Sequence, residues 1–156
     1  MKSFKKLLFT LLTLSAFIAQ AQTISNNSLP QDTYPFDKYI NKNLLYPKPD
    51  LQNGITGVVI TTFNIDETYH VRNIKILKSP NANFSKSVIT VLENAPATFY
   101  KNPQLVYGMA FYFEVTVQSV HKSPDETGVA EMLNGLTSEN VIVLKKVNRR
   151  GFFYSD

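Results

Sequence analysis

The stretch that decides the fold runs Gly54-Ile55-Thr56-Gly57-Val58-Val59-Ile60-Thr61-Thr62-Phe63-Asn64-Ile65, then Asp66-Glu67-Thr68-Tyr69-His70, then Val71-Arg72-Asn73-Ile74-Lys75-Ile76-Leu77. Two glycines punctuate its entry, and β-branched and aromatic residues fill its first part. Residues 58–65 therefore predict a strand with Val59, Thr61, Phe63 and Ile65 on one side and Val58, Ile60 and Thr62 on the other. Neither side is polar enough to face water alone, so both are expected to be at least partly covered. The polar residues 66–70 interrupt the pattern at hairpin length, and 71–77 resumes it with Ile74 and Ile76 on one face. An antiparallel hairpin is the expectation.

Downstream, after Ser79-Pro80-Asn81, the period changes. Phe84, Val88, Val91, Leu92 and Ala95 recur at helical spacing, with Asn83 read as the N-cap and Pro96 as the stop. From Met109 the alternation is regular again: Met109, Phe111, Phe113, Val115 and Val117 against Ala110, Tyr112, Glu114, Thr116 and Gln118, a half-buried antiparallel strand. Upstream, Pro35 suits a first helical position, and Phe36, Tyr39, Ile40 and Leu44 form the stripe of a short amphipathic helix. Tyr46-Pro47 ends that helix, and Pro49 predicts extended chain after it.

The two ends of the chain read differently. Lys2, Lys5 and Lys6 precede an apolar run from Leu7 to Ile18, which closes on Ala19-Gln20-Ala21, a signal-peptidase pattern. Residues 1–21 are therefore expected to be a cleaved signal peptide, the run being shorter than the roughly 20 residues that span a bilayer. Residues 22–34 form a polar, flexible segment, 35–118 the domain, and 119–156 a linker and extension with a strand over 141–147. Export removes three of the 16 basic residues and none of the 12 acidic ones, which leaves a net charge of +1. That near-neutral chain has no general attraction for nucleic acid, and the local run Lys145, Lys146, Arg149 and Arg150 reads as a solvated face. With no cysteine there is no disulfide framework, no thiolate chemistry and no lipid attachment point.

Catalytic constellations are weak. His70 falls in the hairpin turn and His121 in the linker, neither with a helix-spaced ligand partner for a metal. Asp66 and Glu67 are adjacent at a strand end, where neighbouring side chains point apart, so turn solvation explains them better than acid–base chemistry. No nucleophile elbow and no phosphate-binding glycine loop occurs. No enzyme activity, cofactor or metal is expected. Among the aromatic residues, Phe63, Phe84, Phe111 and Phe113 are assigned to the core, whereas Tyr100, Tyr107, Tyr112, Phe152, Phe153 and Tyr154 are available for a partner surface.

The order of helix, Tyr-Pro, glycine pair, hairpin, helix and strand resembles the C-terminal domain of TonB. The segments Lys38-Tyr39-Ile40-Asn41-Lys42-Asn43-Leu44-Leu45-Tyr46-Pro47 and Gly54-Ile55-Thr56-Gly57-Val58-Val59-Ile60-Thr61-Thr62-Phe63 carry the resemblance, and Tyr46, Pro47, Gly54, Gly57, Ser79 and Pro96 hold its motif positions. The hairpin differs, with Glu67-Thr68-Tyr69-His70 in place of a tight glycine-containing pair. The resemblance implies a periplasmic protein-binding module that takes outer-membrane receptor segments by β-strand addition in TonB-dependent transport. Neither an inner-membrane anchor nor a proline-rich spacer is read here, so force transmission is not expected, and no stable membrane anchor remains after cleavage.

The fold expected is thus α+β, a three-stranded antiparallel sheet in ββαβ order with one main helix on one face and room for an extra C-terminal strand. The helical crossover lays the third strand beside the first, leaving the second and third at the edges. The third strand, Met109, Ala110, Phe111, Tyr112, Phe113, Glu114, Val115, Thr116 and Val117, is the expected partner-binding edge. The tail strand, needing a partner of its own, is expected to lie along it. The alternative is a structural or assembly subunit of an envelope complex, or a homodimer through paired edges.

Overall fold

The computed structural model describes residues 34–97, 105–136, 141–144 and 146–153. The signal peptide expected over 1–21, and Tyr100 and Tyr154, lie outside them.

Helix α1 (Tyr34–Asn43) buries Phe36 and Ile40, and its stripe continues into Leu44. After Tyr46-Pro47 the chain does not stay extended as Pro49 suggested; it forms a five-residue helix, α2 (Lys48–Gln52). Pro49 lies in its first turn, where the missing N–H has no intrahelical partner to lose. Strands β1 (Gly57–Ile65) and β2 (Val71–Lys78) make the expected hairpin. Its turn closes without glycine because Asp66 Oδ1 accepts from the Thr68 and His70 amides, both at 2.9 Å, while Tyr69 takes the left-handed conformation at φ 66°.

Helix α3 (Ala82–Glu93) buries Phe84, Val88, Val91 and Leu92. Its N-cap is Asn81 rather than Asn83: Asn81 is extended, and its side-chain oxygen accepts from the amides of Asn83 and Phe84. The Asn83 side chain instead donates to Asp50 Oδ2 at 2.9 Å. The helix ends before Pro96, with Asn94 as its C-cap.

Strand β3 (Val106–Val117) pairs antiparallel with β1 from Gly57↔Phe113 to Asn64↔Val106. The order β2-β1-β3 follows, as the crossover predicted. The tail then adds β4 (Val120–Lys122), helix α4 (Val129–Leu136), β5 (Val141–Val143) and β6 (Val147–Phe153). His121, expected in a linker, lies on β4. The strand character read over 141–147 resolves into two strands, β5 and β6, both parallel to β3. Between them Val143 pairs with Gly108 and Val147 with Phe111, so the tail spends one more residue than β3 over the same span. Strand β4 pairs with residues 115–117 of β3, where β6 already occupies one side. It therefore continues the line of β1 along the opposite side.

Both faces of the sheet are covered. On one, α1 and α3 bury Phe36, Ile40, Phe84, Val88 and Leu92 against Val59, Phe63, Phe111 and Phe113, and Leu144 and Val147 of the tail join this core. On the other, Val129 of α4, with Met132, Leu133 and Leu136, covers Val58, Ile60, Ala110 and Tyr112. The expectation of one helix on one face thus gains a second, smaller helix on the opposite face. The alternation of β1 required that cover, because Val58 and Ile60 on its second face are apolar too. Of the aromatic residues set aside for a partner, Tyr107 and Tyr112 are buried, while Phe152 is 57% exposed.

Candidate functional site

Strand addition needs backbone donors and acceptors without a ladder partner, so the sheet edges are where a site would form. The edge strand β2 is poorly suited. Its pairing with β1 shifts register in two places, Asn73 adopts φ 54°, and Arg72, Lys75 and Lys78 line it. Bulges and lysines are how sheets resist unwanted pairing along an edge.

The outer side of β3 carries no such device, and here the structure departs from an open edge. Residues 106–108 pair with β5 and residues 111–117 with β6, so the stretch expected as a partner-binding edge is an interior strand. Met109, Phe111 and Phe113 point into the main core, Val115 is buried beyond them, and Ala110 and Tyr112 face α4. Glu114 alternates onto the same side as Tyr112. Its carboxylate meets Arg150 of β6 at 3.2 Å and lies 3.9 Å from His121 of β4. Lys146 Nζ stands 4.8 Å from the centre of the Tyr112 ring. Of the basic run near the end, Lys146 and Arg150 are therefore in contact with side chains of β3.

The Tyr46-Pro47 motif supports this same place. The Tyr46 ring stands edge-on to Phe84 and Phe113, with centroids 5.7 and 5.5 Å away, and its hydroxyl donates to the carbonyl of Ile55. Burial, and then the charge of Asp50, push its phenol up to about 12. Pro47 caps α2 in an extended conformation. Above Tyr46 and Leu51 runs Gly151 of β6, where a β-carbon would overlap Leu51 Cδ1 and come within 3.0 Å of Tyr46 Cδ2. The need for glycine at 151 was not read from the sequence. Its signal is a lone glycine inside Arg149-Arg150-Gly151-Phe152-Phe153, the mark of a close approach within a strand.

The remaining motif positions are structural. Gly54 adopts φ 61° at the turn after α2. Gly57 opens β1 beneath Pro80, and Ser79 Oγ donates to the Asn81 carbonyl at 2.8 Å, ordering the entry to α3. Pro96 follows α3 on the surface. A separate cavity of about 470 Å³ opens between α1, the 45–49 segment and α3, with Tyr39, Leu45, Tyr46 and Val91 as apolar lining and Lys48 and Lys86 beside them. Asp66 is committed to the hairpin, accepting from Thr68 and His70 and pairing with Arg72 at 3.0 Å.

Residues 42–117 match the family model described as Gram-negative bacterial TonB protein C-terminal. No curated protein and no solved structure matches the chain significantly. The matched span begins at the end of α1 and stops at the last residue of β3, so β4, α4, β5 and β6 all lie beyond it. Over residues 42–117, which contain the Tyr-Pro motif, the hairpin, the main helix and β3, this chain is similar to the TonB C-terminal family.

Proposed function

We propose that this chain is a periplasmic protein-binding module that takes extended segments of outer-membrane receptors by strand addition along β3. TonB C-terminal domains are protein-interaction domains of the periplasm rather than enzymes, and the family match is the observation that carries the reading. Two features of the sheet support β3 over β2 as the place. Strand β3 is long, with twelve residues, and on its outer side its backbone pairs only with segments outside the family match. Strand β2, in contrast, is bulged and basic. No helix among the described residues is long and apolar enough to cross a membrane.

Capture from outer-membrane extract by residues 22–156, followed by identification of the retained proteins, tests the reading. Receptors should be retained, and synthetic peptides covering their extended periplasmic segments should bind with chemical-shift changes concentrated on β3. Retention of other envelope proteins in place of receptors would move the chain to an assembly role. Receptor peptides that shift β2 and leave β3 unaffected would relocate the site.

A further inference from the structure

The outer side of β3 is filled by the chain's own tail, and the manner of filling is specific. Three residues of β5 and seven of β6 run parallel to β3, each strand in unbroken register, with one extra tail residue between the two. Strand β6 contributes three recognisable contacts: Val147 enters the main core at 4% exposure, Arg150 meets Glu114, and Gly151 passes over Tyr46 and Leu51 with no room for a β-carbon. These contacts join a segment beyond residue 117 to residues inside the family match. Val147, Arg150 and Gly151 are thus read by Phe111, Glu114 and Val115 as register partners and by the Tyr46 motif from above.

We propose that β6 is a resident, exchangeable strand: it holds the β3 groove closed, and a partner enters by replacing it with a segment of the same design. This rests on the receptor-binding reading of β3. The partner is then an extended peptide, parallel to β3, with a branched apolar residue followed three residues later by a basic one and then at once by glycine. A tethered strand acts at an effective concentration on the order of millimolar, so a free segment at micromolar concentration is outcompeted by about a thousandfold while the tail is seated. Anything that loosens the tail raises apparent affinity by up to that factor.

The probe is a fluorescent peptide of residues 146–153, offered to the full exported chain in three forms. Wild type should bind it weakly. Gly151→Val, whose side chain overlaps Leu51, should bind it on the order of 10²-fold more tightly. A peptide carrying the same glycine-to-valine change should bind neither. The third form, Glu114→Cys with Arg150→Cys, places two cysteines at register partners in a chain with no other cysteine. Oxidised, it should bind no peptide, and reduction should restore binding. Unchanged affinity in Gly151→Val, or equal binding by the oxidised and reduced forms, overturns the proposal.

Should Gly151→Val fail to fold, hydrogen exchange of the cysteine pair decides alone. Amides of residues 114–117 should exchange at least tenfold faster in the reduced than in the oxidised form, with β1 unaffected. Equal rates mean that the tail opens only with the whole domain, which sinks the proposal. The receptor reading fails separately. Gly151→Val that accepts the tail peptide but no receptor segment refutes receptors and leaves the exchangeable strand standing, whereas receptor segments that bind the oxidised form as well as the reduced form do the reverse.

Discussion

The buried carboxylate of Asp50 accepts the side-chain amide of Asn81 at 2.6 Å, and Asn81 is the residue that caps α3. One short helix after the Tyr-Pro motif thereby fixes the start of the main helix. A second bond, from Asn83 Nδ2 to the other carboxylate oxygen, completes the link. Charge-assisted bonds of this kind are among the stronger ones, and removing the acceptor leaves two amide donors without their partner.

Asp50→Ala should therefore cost about 2 kcal/mol or more, a fall in Tm of roughly 4–8 °C for a chain of this size. Asp50→Asn keeps the shape and one acceptor oxygen but turns an amide toward a donor, so its cost should be intermediate. Thermal unfolding followed by circular dichroism measures both. A melting point for Asp50→Ala within a degree of wild type would show that α3 is positioned by its apolar face alone.

Tyr46 predicts an alkaline dependence. Its phenol is raised from 10.0 to about 12, so the folded state holds the proton more tightly than the unfolded chain does. The contribution is fully present below about pH 10 and is lost as pH rises toward 12. Tyr46→Phe should be less stable by about 1 kcal/mol at neutral pH, having lost the bond to the Ile55 carbonyl. Its stability should also decline less steeply above pH 10. Burial, with Glu126 nearby, raises the Tyr112 phenol too and leaves a residual slope. Urea unfolding at pH 8 to 11 tests this, and identical slopes for variant and wild type would refute the assignment to Tyr46.

The turn joining β3 to β4 places Gln118 at φ 45° and Ser119 at φ 69°. Two consecutive left-handed residues define the hairpin turn that favours Asn-Gly. Gln118→Asn with Ser119→Gly should thus raise stability by between about 0.5 and 1 kcal/mol, the relief of strain exceeding the added freedom of the unfolded chain. A lower Tm for the double variant would mean that side-chain contacts of Gln118 outweigh backbone strain.

Val91 is 4% exposed on the α3 face against the sheet, whereas His70 and His121 lie at or near the surface. Val91→Asp places an unpaired carboxylate in the core, at a cost of several kcal/mol, comparable to the total stability of a small domain. His70→Ala and His121→Ala should change Tm by no more than a degree or two. A soluble, cooperatively folded Val91→Asp would require α3 to leave the sheet without loss of the fold.

What was legible in the sequence was whatever depends on local period. The α3 stripe of Phe84, Val88, Val91 and Leu92 and the two-sided β1 declared themselves because each side chain's direction follows from its neighbours' spacing. The N-cap was misplaced by two residues because Asn81 and Asn83 are chemically identical, and only the extended backbone at Asn81 distinguishes them. Pro49 misled because its missing N–H suits a first helical turn as well as an extended run. The reach of β6 to Phe153 was hidden by Arg149, Arg150 and Gly151, which interrupt the apolar pattern. Their reasons, Glu114 for Arg150 and Tyr46 for Gly151, lie 36 and 105 residues away in the chain. Site geometry built from such distant pairs leaves no periodic trace.

Gly57 gives the last prediction, because its meaning also changed with the structure. As sequence it was punctuation before a strand; in the fold it is where β1 passes beneath the ring of Pro80, and a β-carbon there would overlap Pro80 Cγ and come within 2.9 Å of Cβ. A proline ring is held to the backbone at both ends and cannot swing aside as a lysine or methionine would. Gly57→Ala should therefore cost between about 1 and 3 kcal/mol, the range for forcing extra volume into packed surroundings. The cost should collapse when the ring is removed, so that Gly57→Ala with Pro80→Ala is about as stable as Pro80→Ala alone. Such a coupling between neighbours is what a double-mutant cycle isolates. If Gly57→Ala costs the same in both backgrounds, the penalty comes from the backbone of β1 itself, and the close approach between the strand entry and the segment before α3 is not what holds this position to glycine.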